Sequence, residues 1–428
     1  MLQARRQQER PGTAVGILCK KIRYLEFQKK VYLKSGIGEE TYLPPFIFHD
    51  PPIQPSMKQA RLEAAEVMFG AMDELLEKTG LNPQDIDILI ASCSCFTPTP
   101  SLASMVVNHY KMRSNVCSLN LGGMGCSGGM VAVDLAKHLL RSFASSNPVI
   151  INTENITLNW YRGNNRSMLI SICLFRVGAA AILLSNKRSE RNRAKYQLYC
   201  SVRTHTAADD KAFQSAFQEE DEDGLVGISL SKHIMIAAAD AIKENMTQLG
   251  SLVLPYSEQL RFLISCFSPK IFQTAGKAYV PNFKLAFQHF LIHTGGRAVL
   301  DGIQNKLSLS NDHMEASRMT LHRFGNTSSS SIWYALAYLE AKERVKKTDR
   351  IWLVGLGAGF KCNSVVLKAL RTVKQPSMNP WLDCLHKYPM KISTDMTDIF
   401  RSDKLLYRTN SGKLFDCMKG QRIETDHV

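Results

Sequence analysis

Short apolar runs rich in β-branched residues take turns with amphipathic helical stretches along this chain, and that alternation constrains its fold more than any other feature. The segment "MKQARLEAAEVMFGAMDELLEKTG" (57–80) carries apolar residues at helical spacing and stops on a glycine, and "IDILIASCS" directly after it reads as a buried strand. "SLASMVVNHYKM" predicts a second helix, "VCSLNL" a second strand, and "PVIINTE" a strand beyond a further helix. The rhythm then returns. "SLSKHIMIAAADAIKENMTQLG" predicts a helix, "KLAFQHFLIHTGG" a strand and turn, and "RAVLDGIQNKL" and "SSSIWYALAYLEAKERV" helices, before the strand and glycine turn of "DRIWLVGLGAGFKCNSVVL". Such alternation implies an α/β protein with mixed, largely buried sheets. With 428 residues, 45% of them hydrophobic, the chain can fill two domains or one large domain of two similar halves.

Residues 1–20 read as a disordered basic tail, 21–275 as an N-terminal half, 276–375 as a C-terminal half, and 376–428 as a weakly structured tail where the rhythm is lost. The net charge of +15 gathers in "QARRQQER", "NKRSERNRAK" and "KERVKK". These clusters lack interleaved aromatics and any nucleic-acid motif, so they read as solvated faces and no nucleic-acid partner is expected. The eleven cysteines follow no repeating pattern; Cys93 and Cys95 form a lone C-x-C without a second pair at zinc-like spacing. A reduced, cytosol-facing protein is implied. The most apolar window, 167–185, is broken by Arg176 and Gly178 and predicts two buried strands rather than a membrane span. No secretory signal and no transmembrane anchor are read in the sequence.

Chemistry concentrates in a few places. "NLGGMGCSGG" sets Cys126 among glycines at the start of a predicted helix. Either the thiol is a small filler in a tight turn, or it is a nucleophile whose thiolate the helix N-terminus favours. In "FQHFLIHTGGRAVL", His289 and His293 would face one side of a helix as a metal pair; on a strand, His293 stands at the strand's end, where α/β folds often place catalytic groups. A hydrogen-bonded structural histidine is the alternative. "RFGNTSSSSIW" holds Asn326 in a turn, where an amide can donate to an oxyanion; Thr327 and the following serines read as plain turn and capping residues. Gly355, Gly357 and Gly359 form a glycine turn that lets backbone approach a site or ligand, too loosely patterned for a dinucleotide fingerprint. His205, in "RTHTAADD", is either a site residue or a loop residue.

Together, "NLGGMGCSGG", "HTGGRAVLD", "RFGNTSSSS" and "GFKCNS" resemble the plant 3-ketoacyl-CoA synthases, condensing enzymes of very-long-chain fatty acid elongation within the thiolase-like superfamily. "KSGIGEETYLPP", "CFTPTPSLASMVVNHYKMR", "TENITLNWYRGNNRSML" and "QEEDEDGLVGISLSK" agree, and the likeness runs from about residue 22 to about 390. It implies a thiolase-like fold, two similar βαβαβ halves in α-β-α-β-α layers. It further implies Cys126 as nucleophile, with His293 and Asn326 as catalytic partners stabilising an enolate oxygen. His205, His289 and His322 match family histidines of less certain role and are supporting candidates, and the loop of Gly355, Gly357 and Gly359 shapes the site. Arg162 and Lys361 are among the basic residues available to coenzyme A phosphates. The implied reaction joins a long-chain acyl-CoA with malonyl-CoA, giving a 3-oxoacyl-CoA two carbons longer, CO2 and coenzyme A, for wax, cuticle, suberin or seed lipids. No metal or redox cofactor is needed. A homodimer working with other elongase subunits is expected. A type III polyketide synthase-like enzyme and a non-catalytic elongase partner are the alternatives. Family members sit at the endoplasmic reticulum through two N-terminal transmembrane helices not read here; without an anchor the expectation is cytoplasmic.

Overall fold

The computed structural model describes residues 14–44, 47, 55–267, 279–375 and 377–390, with three short strands further on. Two four-stranded sheets carry the architecture. The first, ordered β2-β1-β3-β4, is built from β1 (Ile88–Ser92), β2 (Cys117–Leu121), β3 (Pro148–Thr153) and β4 (Ala179–Leu183). β1 pairs in parallel with β2 and β3 (Ile90↔Leu119, Ile90↔Ile150), and β4 closes antiparallel on β3 (Ile150↔Ile182). Every residue of β1 and β3 is buried, as an unbroken apolar run requires when both sheet faces are covered. The second sheet runs β5 (Tyr196–His205), β10 (Lys361–Ala369), β9 (Arg350–Gly357) and β8 (His289–Ile292). Here β10 is antiparallel to both neighbours, and β8 is parallel to β9 in the register Leu291↔Leu353.

Helices fill the remaining layers. α1 (Ala14–Ser35) opens the described chain. α2 (Met57–Thr79) starts on a capping box between Ser56 and Gln59, ends on left-handed Gly80, and covers the outer face of the first sheet with α3 (Leu102–His109). α4 (Gly128–Ser142) lies between the sheets, touching β1 and β3 on one side and β9 and β10 on the other. That position explains why its first half, Gly128 through Asp134, is buried all round. α5 is Arg166–Leu174, α6 Asp210–Phe213, α7 Ile234–Val253 and α8 Tyr256–Phe267; α7 covers the outer face of the second sheet. α9 (Arg297–Leu307) and α10 (Asn311–Phe324) precede α11 (Ser331–Ala341), which joins α4 in the middle layer against β8 and β9. The α-β-α-β-α order is the expected one. The hairpin of β6 (Ala216–Glu220) and β7 (Val226–Leu230) stands apart from both sheets.

Three expectations change. Residues 166–174 form a helix, so only the second half of the apolar window, β4, is a strand. The Asn165 side chain accepts from the Ser167 N–H at its start, and buried Arg176 donates to the carbonyls of Cys173 and Phe175 at its end, so tertiary capping settles what periodicity leaves ambiguous. β5 belongs to the second sheet although it precedes residue 275, so sheet membership does not follow a cut at 275/276; 268–278 lie outside the described residues. Finally, the compact unit reaches Pro389 rather than residue 375. Trp381 is fully buried against the rings of Phe324, Tyr338 and Tyr388, and its indole N–H donates to the Tyr334 carbonyl at 2.8 Å. Of the expected N-terminal tail, 14–20 lie in α1 and 1–13 are outside the described residues. In the expected C-terminal tail, β11 (Leu406–Arg408), β12 (Leu414–Asp416) and β13 (Gln421–Arg422) pair antiparallel among themselves.

Candidate active site

Cys126 sits in a single 3-10 turn, Gly125–Ser127, that runs from β2 directly into α4. Its glycines answer to close backbone packing. Gly125 has a positive φ of 65°, and a Cβ there would lie 2.4 Å from the Ala358 amide nitrogen. Across the contact, a Cβ on Gly357 would lie 2.6 Å from Ser127 Oγ and 2.8 Å from Ser127 N. The two glycine turns therefore touch main chain to main chain, and the cysteine is held at the wall of a cavity of about 250 Å³.

Asn326 enters that cavity from the turn before α11. A parallel bridge to Phe175 holds it: Arg176 N–H donates to its carbonyl at 2.9 Å, and its own N–H donates to Leu174 O at 3.1 Å. The side-chain Oδ1 accepts from Ser328 N–H at 2.9 Å, which assigns the Nδ2 amide to the side facing Cys126. His293 stands just past β8, where its N–H continues the pairing to Val354 O at 2.9 Å. Its Nδ1 is 3.0 Å from Ser331 Oγ. Cys126, His293 and Asn326 thus meet on one cavity.

Burial sets their protonation. The Cys126 sulfur is enclosed even though the residue keeps some accessible surface, and burial pushes the thiol up to about 11; Glu154 adds to the rise, while hydrogen bonds from Ser328 and Asn326 oppose it. The expected gain from the helix N-terminus is outweighed, and at neutral pH the thiol stays protonated. Burial also depresses His293 to about 4, so its imidazole is neutral.

Residues not singled out from sequence complete the site. Glu154 is buried, with its carboxylate accepting from the N–H groups of Ser94 (3.1 Å) and Cys95 (2.8 Å) and from Ser328 Oγ (2.8 Å). The Ser328 hydroxyl lies between Glu154 and Cys126, and its hydrogen bond to the sulfur favours the thiolate. Ser328 and Ser331 are therefore site residues, correcting their reading as plain turn chemistry. Ser330, at the N-cap of α11, makes no capping bond. Ile156, Leu174, Phe175, Leu230 and Val299 give the cavity apolar walls. Only the fold gathers them, because they come from segments far apart in sequence, around 154–156, 174–175, 230, 299 and 328–331.

The other candidates fall elsewhere. His205 is exposed on the end of β5, with Nε2 3.0 Å from Gly359 O. His289 pairs with Asp349 at 2.9 Å, which replaces the suggested metal pair with His293. His322 contacts the Tyr388 hydroxyl at 3.1 Å. None of the three lines the cavity. Of the glycine loop, Gly357 lines it together with Ala358 and Phe360, whereas Gly355 packs on Met130 and Gly359 lies near Lys361, whose amine donates to Ala358 O. Among the described residues, no three His, Cys, Asp or Glu side chains gather as a metal site.

The family model described as FAE1/Type III polyketide synthase-like protein matches residues 14–271, and that of the 3-oxoacyl-[acyl-carrier-protein] synthase III C terminal matches 286–369. Among curated proteins, 3-ketoacyl-CoA synthase 11 of Arabidopsis thaliana is 58% identical over 369 residues, covering 86% of this chain and 72% of its own. 3-Ketoacyl-CoA synthase 6 of the same plant is 57% identical over 376 residues, 88% of this chain and 76% of its own.

Proposed function

This chain belongs to the 3-ketoacyl-CoA synthases, and on that premise we propose how its cavity condenses a long-chain acyl-CoA with malonyl-CoA. The enzyme is a condensing acyltransferase of very-long-chain fatty acid elongation, with the thiolase-like fold of its family. Cys126 carries the acyl group. As a thiolate it attacks the acyl-CoA carbonyl, coenzyme A departs, and a thioester remains on the sulfur. Malonyl-CoA then loses CO2, and the charge that collects on its thioester oxygen meets Asn326 Nδ2, with His293 beside it. The enolate carbon attacks the Cys126 thioester and releases a 3-oxoacyl-CoA two carbons longer. Apolar walls keep water from both the thioester and the enolate.

The observation that carries this reading is the meeting of Cys126, His293 and Asn326, far apart in sequence, on one cavity with apolar walls. Purified protein given a long-chain acyl-CoA and malonyl-CoA is expected to form the extended 3-oxoacyl-CoA and CO2, and Cys126→Ala to form neither. An unchanged rate in that variant would sink the assignment. We also place the enzyme on the cytosolic face of the endoplasmic reticulum, as a homodimer beside other elongase subunits, a reading supported by its family. Among the described residues no helix is long and apolar enough to cross a membrane. Fractionation of cells and sedimentation of the pure protein test both points.

A further inference from the structure

The cavity is too small for a long acyl chain. At about 250 Å³ it has room for on the order of ten carbons, by the scale of a cavity of about 150 Å³ that takes one benzene. A long chain on Cys126 therefore has to leave through a wall, and one wall is built differently from the rest. The β6–β7 hairpin belongs to neither four-stranded sheet, yet it supplies Ala216, Gln218, Ile228 and Leu230 to the lining. Its register sets Ala216 opposite Leu230, Gln218 opposite Ile228, and Glu220 opposite Val226. Alternate residues of a strand share a face, so Leu230, Ile228 and Val226 form one apolar row. The first two line the cavity, and Val226, 42% exposed, carries the row to the surface.

Gln218 stands beside that row. Both amide hydrogens of buried Asn159 are committed, to Cys95 O at 3.1 Å and to Asn155 O at 3.2 Å. Its oxygen therefore faces the hairpin and accepts from Gln218 Nε2 at 2.8 Å. The hairpin backbone is tied down. Ser229 Oγ is 3.1 Å from Ser167 Oγ, the Tyr161 hydroxyl donates to Asp221, and a Cβ added at Gly227 would lie 2.6 Å from Met168 Sδ. The exposed Gln218 side chain, by contrast, can trade the Asn159 oxygen for water without moving the strand.

We propose that Gln218 is the gate of an acyl exit and a determinant of chain length. Bonded to Asn159, its side chain closes the cavity beyond a short chain; swung aside, it lets a longer chain continue over Ile228 and Val226. Asn159 positions the gate, and Val226 extends the apolar path. The proposal deepens the reading above, on which it rests, because it takes the group carried by Cys126 to be an acyl chain.

Two substitutions push in opposite directions. Gln218→Ala removes the gate and its bond, whereas Val226→Lys sets a charge on the apolar row and pairs with Glu220 across the hairpin. N-hexyl and N-hexadecyl iodoacetamide alkylate a cysteine without coenzyme A, and their rates are followed on the Cys126 peptide. The hexadecyl-to-hexyl ratio is expected to rise about fivefold in Gln218→Ala, the scale of one net hydrogen bond, and to fall about as far in Val226→Lys. Glu219→Ala, whose side chain points to the other face, is expected to leave the ratio as it is. An unchanged ratio in either of the first two variants, or an equal shift in Glu219→Ala, overturns the proposal. Acyl-CoAs of graded length with malonyl-CoA should show the same shifts in product length. If the wild-type protein forms no 3-oxoacyl-CoA, the reaction assigned above is removed, and the alkylation ratio still decides the exit.

Discussion

Two 3-10 turns enter the two central helices, and they are built from opposite materials. The turn before α4, Gly125–Ser127, is flanked by Gly122, Gly123, Gly128 and Gly129; the turn before α11, Ser328–Ser330, is followed by Ser331. Glycine on the first side removes side chains so that backbone meets backbone and the thiol faces open space. On the second side each serine is occupied: Ser328 reaches Glu154, Ser329 the Thr153 carbonyl, Ser330 the Thr327 carbonyl, and Ser331 His293. The cysteine's turn supplies room and leaves its thiol protonated. Its polar opposite supplies the hydrogen bonds that orient Asn326 and His293. Space and polarity are thus provided by different segments, and neither turn is a site alone.

The largest effect should come from filling the glycine side. Gly125→Val combines a positive φ with a backbone clash at 2.4 Å from Ala358 N and is expected to cost about 3 kcal/mol or more, read by urea unfolding, together with activity. Next comes the protonation of the serine side. His293 titrates near 4 when folded, below its ordinary 6.5, so the unfolded chain binds more protons between those values. Stability present above pH 6.5 should therefore be lost as pH falls toward 4, by about 3 kcal/mol, and His293→Gln should flatten that slope in a pH series of unfolding curves. Ser328→Ala removes a partner of both Glu154 and Cys126. It should cost about 1–2 kcal/mol and push the thiol higher still, seen as slower Cys126 alkylation at a fixed pH. The smallest effect sharpens the contrast within the glycine turn. Gly123 shares the positive φ of Gly125 but has nothing within 4 Å of an added Cβ, so Gly123→Ala should cost only about 1 kcal/mol. Equal losses at 123 and 125 would show that conformation, not close approach, explains the glycines.

Much of this was legible beforehand. The helices at 57–79, 297–307 and 331–341 and the strands around them followed from periodicity and stop signals, and the layered fold from the family resemblance. Cys126, His293 and Asn326 stood out because glycine, a strand end and a turn each gave a local reason to notice them. Glu154 gave none, since a glutamate after a strand looks like any solvated carboxylate until the N–H groups of Ser94 and Cys95 are seen around it. Residues 166–174 misled because a short apolar run suits a strand or a buried helix equally, and Arg176 caps the helix only once folded.

Sequence alone determined the alternation of elements, the tight glycine turn at Cys126, and the residue types from which the site is made. These depend on neighbours a few positions away. Tertiary structure decided the protonation of Cys126 and of His293 and the use of the serines. Each of these is governed by desolvation and by single hydrogen-bond partners brought from other elements, and a local pattern carries neither the surroundings of a sulfur nor the direction of a hydroxyl hydrogen.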